Sequence, residues 1–252
     1  MSVCMSVNNE LKVGCCGWAG RQADYFKLFP VIEIQNTFYQ LPMLKTAARW
    51  RESAPEGFVF TMKTWQLITH EPFSPTYKHL REAIEPADWR NYGRFRPTPQ
   101  VLSAWERTKE FAQTLGARIV LFQCPASFRP TQANLANMRV FFGEIERADL
   151  IFAWEPRGDW PEEILYQLCS ELDLIHCVDP FKDKQVYGNI IYYRMHGRLD
   201  YTYDYRFTAS DFDELKDLSE GKQGYVLFNN VYMKEDALQL RNILQNDRSA
   251  SH

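Results

Sequence analysis

Eight short apolar runs, separated for the most part by stretches with helical spacing, constrain the fold of this chain more than any other feature of its sequence. They cover residues 12–17, 31–36, 58–63, 118–124, 150–155, 174–179, 190–196 and 224–229. Each is rich in β-branched or aromatic residues and closes on polar residues or turn formers, as strands buried on both faces of a parallel sheet do. Between them, residues 43–53, 99–115, 131–147, 161–172, 210–219 and 234–244 place apolar residues at helical spacing. Pro161 suits a first helical turn, and Thr131 and Ser210 are N-cap candidates. The first and sixth connections, 20–29 and 180–189, read as little more than a turn of helix. Right-handed crossovers lay each helix outside the growing sheet, so the expected fold is an α/β protein, a (β/α)8 TIM-type barrel. An open doubly wound sheet is the rival, and the G-x-G-x-x-G turn that would favour it is not in the sequence.

A barrel of this kind needs a large core, which a hydrophobic fraction of 45% over 252 residues supplies. The expected organisation is one domain over 1–252, with a core of about 11–245 and a tail at 245–252. The connection 64–98, with Pro72, Pro75, Pro86 and Pro97, is an abnormally long insertion after the third strand, expected to be a functional loop or lid. Lys+Arg 29 against Asp+Glu 32 leaves a charge of −3, so no global positive field draws the protein to nucleic acid. No apolar run reaches the ~18 residues needed to cross a bilayer, and MSVCMSVNNELK lacks the regions of a signal peptide, which points to the cytoplasm. The cysteines at 4, 15, 16, 124, 169 and 177 include no C-x-x-C pair, which argues against a disulfide framework or structural zinc.

Counting in twos along each strand sorts its side chains into faces. Val31, Glu33 and Gln35 share a face, as do Val59, Thr61 and Lys63; Ile119, Leu121 and Gln123; and Ile151, Ala153, Glu155 and Arg157. Ile175, Cys177 and Asp179 repeat the theme, as do Ile190, Tyr192, Arg194 and His196, and Leu227 with Asn229. Apolar residues open these faces and polar ones close them. A charge in mid-barrel costs several kcal/mol, whereas at the mouth it is hydrated and paired, so the polar ends mark the C-terminal rim where barrel enzymes place their chemistry. On that rim Glu33, Lys63, Glu155 and His196 are the catalytic candidates. Gln35, His70, Gln123, Arg157, Asp179, Arg194, Asn229 and Asn230 are the candidate ligand contacts.

The motifs GCCGW (14–18), EIQNTFY (33–39), Lys63 with ITH at 68–70, FQCPASF (122–128), WEPRGDW (154–160), RMHGR (194–198) and FNN (228–230) follow one another in order. Together they resemble the signatures of the YecE-like family, domain of unknown function 72, over about the whole chain. The resemblance implies a (β/α)8 barrel with these motifs on the strand ends. Cys16 stands where serine is usual in that pattern and Gln35 where asparagine is common, which preserves the amide and removes the hydroxyl.

Two further segments are expected on the same rim. WRNYGRFR (89–96) interleaves three arginines with three aromatics, a composition that grips phosphates and stacks flat ligands, or else covers apolar surface with arginine stems. RLDYTYDYRF (198–207) brings Tyr201, Tyr203 and Tyr205, a wall suited to sugars, bases or peptides. No cofactor is assigned. Glu33, Glu155, Asp179 and His196 would supply ligands for one divalent metal, opposed by Lys63, Arg157 and Arg194, and neither H-E-x-x-H nor H-x-H occurs.

The leading reading is an enzyme using acid/base chemistry on a small polar anionic ligand, phosphorylated or carboxylated and sugar-like. Arg157 and Arg194 would clamp the anion, Glu155 or Glu33 would serve as base, and Lys63 or His196 as acid or charge stabiliser, with a Schiff base at Lys63 as second choice. Hydrolase, lyase and isomerase chemistry all stay open. The alternatives are a binder or processor of nucleic-acid phosphodiesters, disfavoured by the net charge, and a non-catalytic metabolite-binding barrel.

Overall fold

The computed structural model describes residues 11–81, 83–198 and 203–250, the last four of these by their backbone only. Eight parallel strands form one sheet: β1 (Leu11–Cys16), β2 (Val31–Ile34), β3 (Val59–Lys63), β4 (Ala117–Gln123), β5 (Ile151–Glu155), β6 (Ile175–His176), β7 (Ile191–Met195) and β8 (Gly224–Phe228). Their order is β6-β5-β4-β3-β2-β1-β8-β7, and a parallel bridge from Val178 to Tyr193 joins the two ends into a ring. All eight expected strands are present, because alternating apolar residues can be buried on both faces only when such a ring has helices around it.

The alternation produces two separate cores. Cys16, Val31, Ile119, Leu121, Ala153, Ile175, Cys177, Tyr192, Tyr225 and Leu227 pack against one another inside the ring. The opposite strand faces, with residues such as Ile32, Phe60, Val120, Phe152 and Val226, join the larger core under the helices. Those helices are α1 (Gln22–Leu28), α2 (Asn36–Tyr39), α3 (Leu44–Ser53), α4 (Gln66–Thr69), α5 (Pro99–Leu115), α6 (Gln132–Glu144), α7 (Glu162–Leu172), α8 (Ala209–Ser219) and α9 (Met233–Ala250). Thr98 caps α5 by accepting from the Val101 amide, and Thr131 caps α6 by accepting from that of Asn134.

Several local expectations need correction. Ser210 lies inside α8, whose cap is Thr208, because Asp211 at the third helical position returns a bond to the Thr208 amide and completes a capping box. Pro161 sits at the cap of α7 rather than in its first turn. The first connection holds a seven-residue helix, while the sixth, 180–189, forms turns without helix. The segment expected to be a tail continues α9 as far as Ala250, and residues 251–252 lie outside the described part.

The long connection carries α4 and two 3-10 segments, Pro75–His79 and Pro86–Asn91. It folds back on itself, residues 93–95 donating to the carbonyls of Leu67, Thr69 and Ile68 in α4. Gly93 has a φ of +75°, and a Cβ there would stand 2.3 Å from the His70 carbonyl oxygen, so only glycine permits this approach. Among the described residues, no helix is long and apolar enough to cross a membrane.

Candidate functional site

The parallel register sets the height of each polar residue in the barrel. Glu33 pairs with Thr61, two residues before Lys63, whereas Gln123 pairs with Glu155 at the last rung of β4 and β5. Glu33 therefore lies below the rim, with no exposed surface. Its Oε2 accepts from the Tyr192 hydroxyl at 2.8 Å, and because that donation uses the tyrosine's single proton, Thr61 Oγ1 donates to Tyr192 in turn, also at 2.8 Å. Its Oε1 accepts from Arg194 Nε at 3.2 Å and Nη2 at 3.0 Å.

Arg194 is 1% exposed and reaches across the barrel, its Nη1 donating to Glu155 Oε2 at 2.5 Å. The guanidinium thus bridges two carboxylates from β2 and β5, strands three places apart in the ring. Burial opposes its charge, but Glu155 and Glu33 overcome this and hold it well above its ordinary pKa. Arg194 is therefore an internal counter-ion and not the anion clamp expected from the sequence. Glu33 is fully buried and both its oxygens are engaged by Tyr192 and Arg194. Neither residue could have been placed at this depth by alternation alone, which reports face and not height.

Closer to solvent the arrangement changes. Glu155 Oε1 accepts from Arg157 Nη2 at 3.2 Å, and that nitrogen lies 3.5 Å from His196 Nε2. Asp179 Oδ2 accepts from the His196 amide at 2.9 Å and lies 3.4 Å from its Nδ1, which orients the imidazole. Burial raises the Glu155 carboxyl, but Arg194, Arg157, His196 and Lys63 outweigh it and hold the group at about 2. Such an acid stays ionised throughout the physiological range and is a weak base.

Lys63 ends β3, 7% exposed. Its Nζ donates to Gln123 Oε1 at 2.6 Å and sits 4.1 Å from the centre of the Phe38 ring. Burial, joined by the charges of Arg194 and Arg157, outweighs the pull of Glu155 and Glu33 and lowers the amine to about 7. His70 packs edge-on against Phe38 at 4.8 Å, and its Nδ1 lies 2.8 Å from Thr69 Oγ1. Burial, then the charges of Lys63 and Arg157, push the imidazole down to about 3, so it is neutral. Phe38 was missing from the expected site. The signal available for it is its place in EIQNTFY, where α2 carries it beside the end of β3.

Gln35 Nε2 donates to Asn229 Oδ1 at 2.7 Å, joining the ends of β2 and β8 at the half-buried rim. Asn230 ties loop to helix instead, its Nδ2 donating to the Tyr205 backbone carbonyl and to the Asp236 carboxylate. Cys16 is buried in the ring, where burial above all pushes its thiol well up and leaves it inert.

The two accessory segments also read differently in place. Arg94 and Arg96 both pair with Glu71, at 2.5 and 2.7 Å, and Phe95 is fully buried among Phe122, Phe128, Phe141 and Phe142. The arginine-aromatic stretch is a clamp for the long connection, and of its residues only Trp89 and Arg90 are exposed. In the other segment, Tyr203 is exposed with its ring 6.0 Å from that of His196, Tyr205 donates to Asp211, and Tyr201 lies outside the described residues.

The donor set suits a divalent metal poorly. Glu33 and Glu155 are held apart on either side of Arg194, and among the described residues no three His, Cys, Asp or Glu side chains are placed to share an ion. A cavity of about 30 Å3, water-sized, borders Glu155, Arg157, Asp179 and His196.

Closed parallel ring, helical jacket and charged strand ends together define a (β/α)8 barrel whose polar cluster sits at the C-terminal rim. The sequence profile of the family described as "Protein of unknown function DUF72" matches residues 13–251, and the chain belongs to that family, as its motifs suggested. No curated protein matches the sequence. Among solved structures, a DUF72 family protein from Enterococcus faecalis V583 superposes with a TM-score of 0.71 at 21% identity, covering 94% of this chain and 98% of that one. A D-psicose 3-epimerase crystallised in the presence of D-fructose gives 0.57 at 12% identity over 92% and 97% of the two chains. Endonuclease IV from Thermus thermophilus gives 0.51 at 11% identity over 93% and 99%. These likenesses establish a fold shared with a sugar epimerase and an endonuclease.

Proposed function

We propose that the protein is an enzyme that moves protons on a small anionic, sugar-like molecule, with Lys63 and His196 as the exchanging groups and Arg157 as the anion clamp. The observation that carries this reading is the position of Lys63: a nearly buried amine at the end of β3, held by an amide and an aromatic face, and poised near neutrality. A catalytic acid or base works best when its pKa lies near the operating pH. Glu155 is too acidic for the task, and its chemistry is to gather Arg157, His196 and Lys63 around one carboxylate. Arg157 offers a planar fork at the rim, suited to phosphate or carboxylate. Asp179 fixes the imidazole of His196, so that Nε2 is the nitrogen presented toward Arg157.

The shared fold with a sugar epimerase supports the substrate class, and proton transfer is the chemistry such a pair of groups supplies. The phosphodiester reading loses its main support with Arg94 and Arg96 folded onto Glu71.

The test is exchange of substrate C–H protons with heavy water, followed by NMR, over a panel of phosphorylated and carboxylated sugars. The expected result is site-specific deuterium incorporation by the wild type, lowered about 10²- to 10⁴-fold in Lys63→Met. Exchange that is untouched by Lys63→Met and Arg157→Met, in variants that melt like the wild type, contradicts the assignment.

A further inference from the structure

We propose that Lys63 Nζ adds covalently to its substrate, which makes that substrate an aldehyde or ketone carrying an anionic group. This inference rests on the reading that places the chemistry at Lys63 and Arg157, and it names the reacting group of the ligand. The geometry sets Lys63 apart from the other cations of the structure. Among the described residues it is the one lysine that is buried, and where the buried Arg194 lies on two carboxylates, Lys63 donates to the Gln123 amide oxygen with no carboxylate within ion-pair distance.

The difference matters because a carboxylate holds an ammonium in its protonated form with a full opposite charge, while a neutral amide oxygen favours it far less and accepts an N–H from the neutral amine as well. The neutral amine keeps a lone pair, and desolvation of a lysine is a recognised way to activate it as a nucleophile. Phe38 forms one wall beside Nζ and His70 packs behind that ring, so part of the amine's surroundings is aromatic rather than aqueous. The lowered proton affinity of Lys63 supports the same conclusion.

The step balances without an added redox partner. The Nζ lone pair forms a bond to the carbonyl carbon, and the C=O π pair moves to oxygen, which takes up a proton. The carbinolamine then loses water as its nitrogen gives up a proton and the C=N bond forms. The adjacent carbon acid is made more acidic by the iminium, and His196, oriented by Asp179 with its Nε2 beside the Arg157 guanidinium, is assigned to exchange its proton. Hydrolysis returns the amine and releases a carbonyl product.

Borohydride trapping tests the proposal. The full-length protein is incubated separately with dihydroxyacetone phosphate, glyceraldehyde 3-phosphate and sorbitol 6-phosphate, which lacks a carbonyl, each with sodium borohydride. The digest is then mapped by mass spectrometry. The expected result is a reduced adduct on the Lys63 peptide with a carbonyl phosphate, about tenfold or more above any other lysine, and none with the alcohol. Adducts spread evenly over surface lysines, or no adduct at Lys63, overturn the proposal. Because the peptide map is read on the wild type, it needs no folded variant. Proton exchange without a Lys63 adduct removes covalent addition and leaves the acid/base reading standing, whereas an adduct without proton exchange supports covalent addition and removes that reading.

Discussion

Arg194 and Lys63 both close strands of one ring, both face its axis and both are cations, yet their surroundings separate them. Arg194 bridges Glu33 and Glu155 with all three guanidinium nitrogens and is driven toward its charged form. Lys63, on a different strand, meets an amide and a phenyl ring, and burial together with the charges of Arg194 and Arg157 drives it toward its neutral form. The first cation has its charge neutralised internally and is fully buried, and the second has no carboxylate partner and keeps a small exposed surface. A buried ion network of the first kind is weak evidence of stability gained over an apolar core, but it holds Glu155 in one place, and the charges of Arg157, His196 and Lys63 act on that carboxylate.

Removing one member of the buried network should have the largest effect. Arg194→Met leaves Glu33 and Glu155 in the barrel without their shared counter-charge, and the expected loss is about 3–5 kcal/mol in urea unfolding. A loss below about 1 kcal/mol would mean that water or another cation reaches the carboxylates, and the contrast between the two cations would fail. A smaller effect is expected from Tyr192→Phe, which deletes one donor to Glu33 and the acceptor of Thr61 without changing charge. The same unfolding measurement should show about 1–3 kcal/mol, and an unchanged stability would indicate that the chain Thr61–Tyr192–Glu33 is not formed.

Much of this architecture was legible in the residues. Period-two alternation assigned Val31, Ile119, Leu121, Ala153, Ile175, Cys177, Tyr192 and Leu227 to the strand face that fills the ring, and the structure packs them there. Depth was not legible, because it depends on the stagger of neighbouring strands: Glu33 and Lys63 looked like equivalent strand ends, and register puts Glu33 level with Thr61. The arginine-aromatic stretch misled for a related reason. Its composition suits a phosphate grip, and its partner Glu71 lies too far back in the chain for local reading to pair them. The sixth connection was expected to be short, but its lack of even one helical turn was not legible, because its residues bond back to β6: the His176 amide donates to the Tyr187 carbonyl and the Val186 amide donates to His176 Nδ1.

The central claim is that Lys63 carries a neutral, reactive amine at working pH, and competitive acylation of the lysines as a function of pH measures it directly. Lowering of the folded-state value means that Lys63 loses its proton at a lower pH than an exposed lysine does. The labelling of its peptide should therefore rise with a midpoint at about 7. Labelling of Lys63 that follows the exposed lysines, with a midpoint near the ordinary 10.5, would contradict the account.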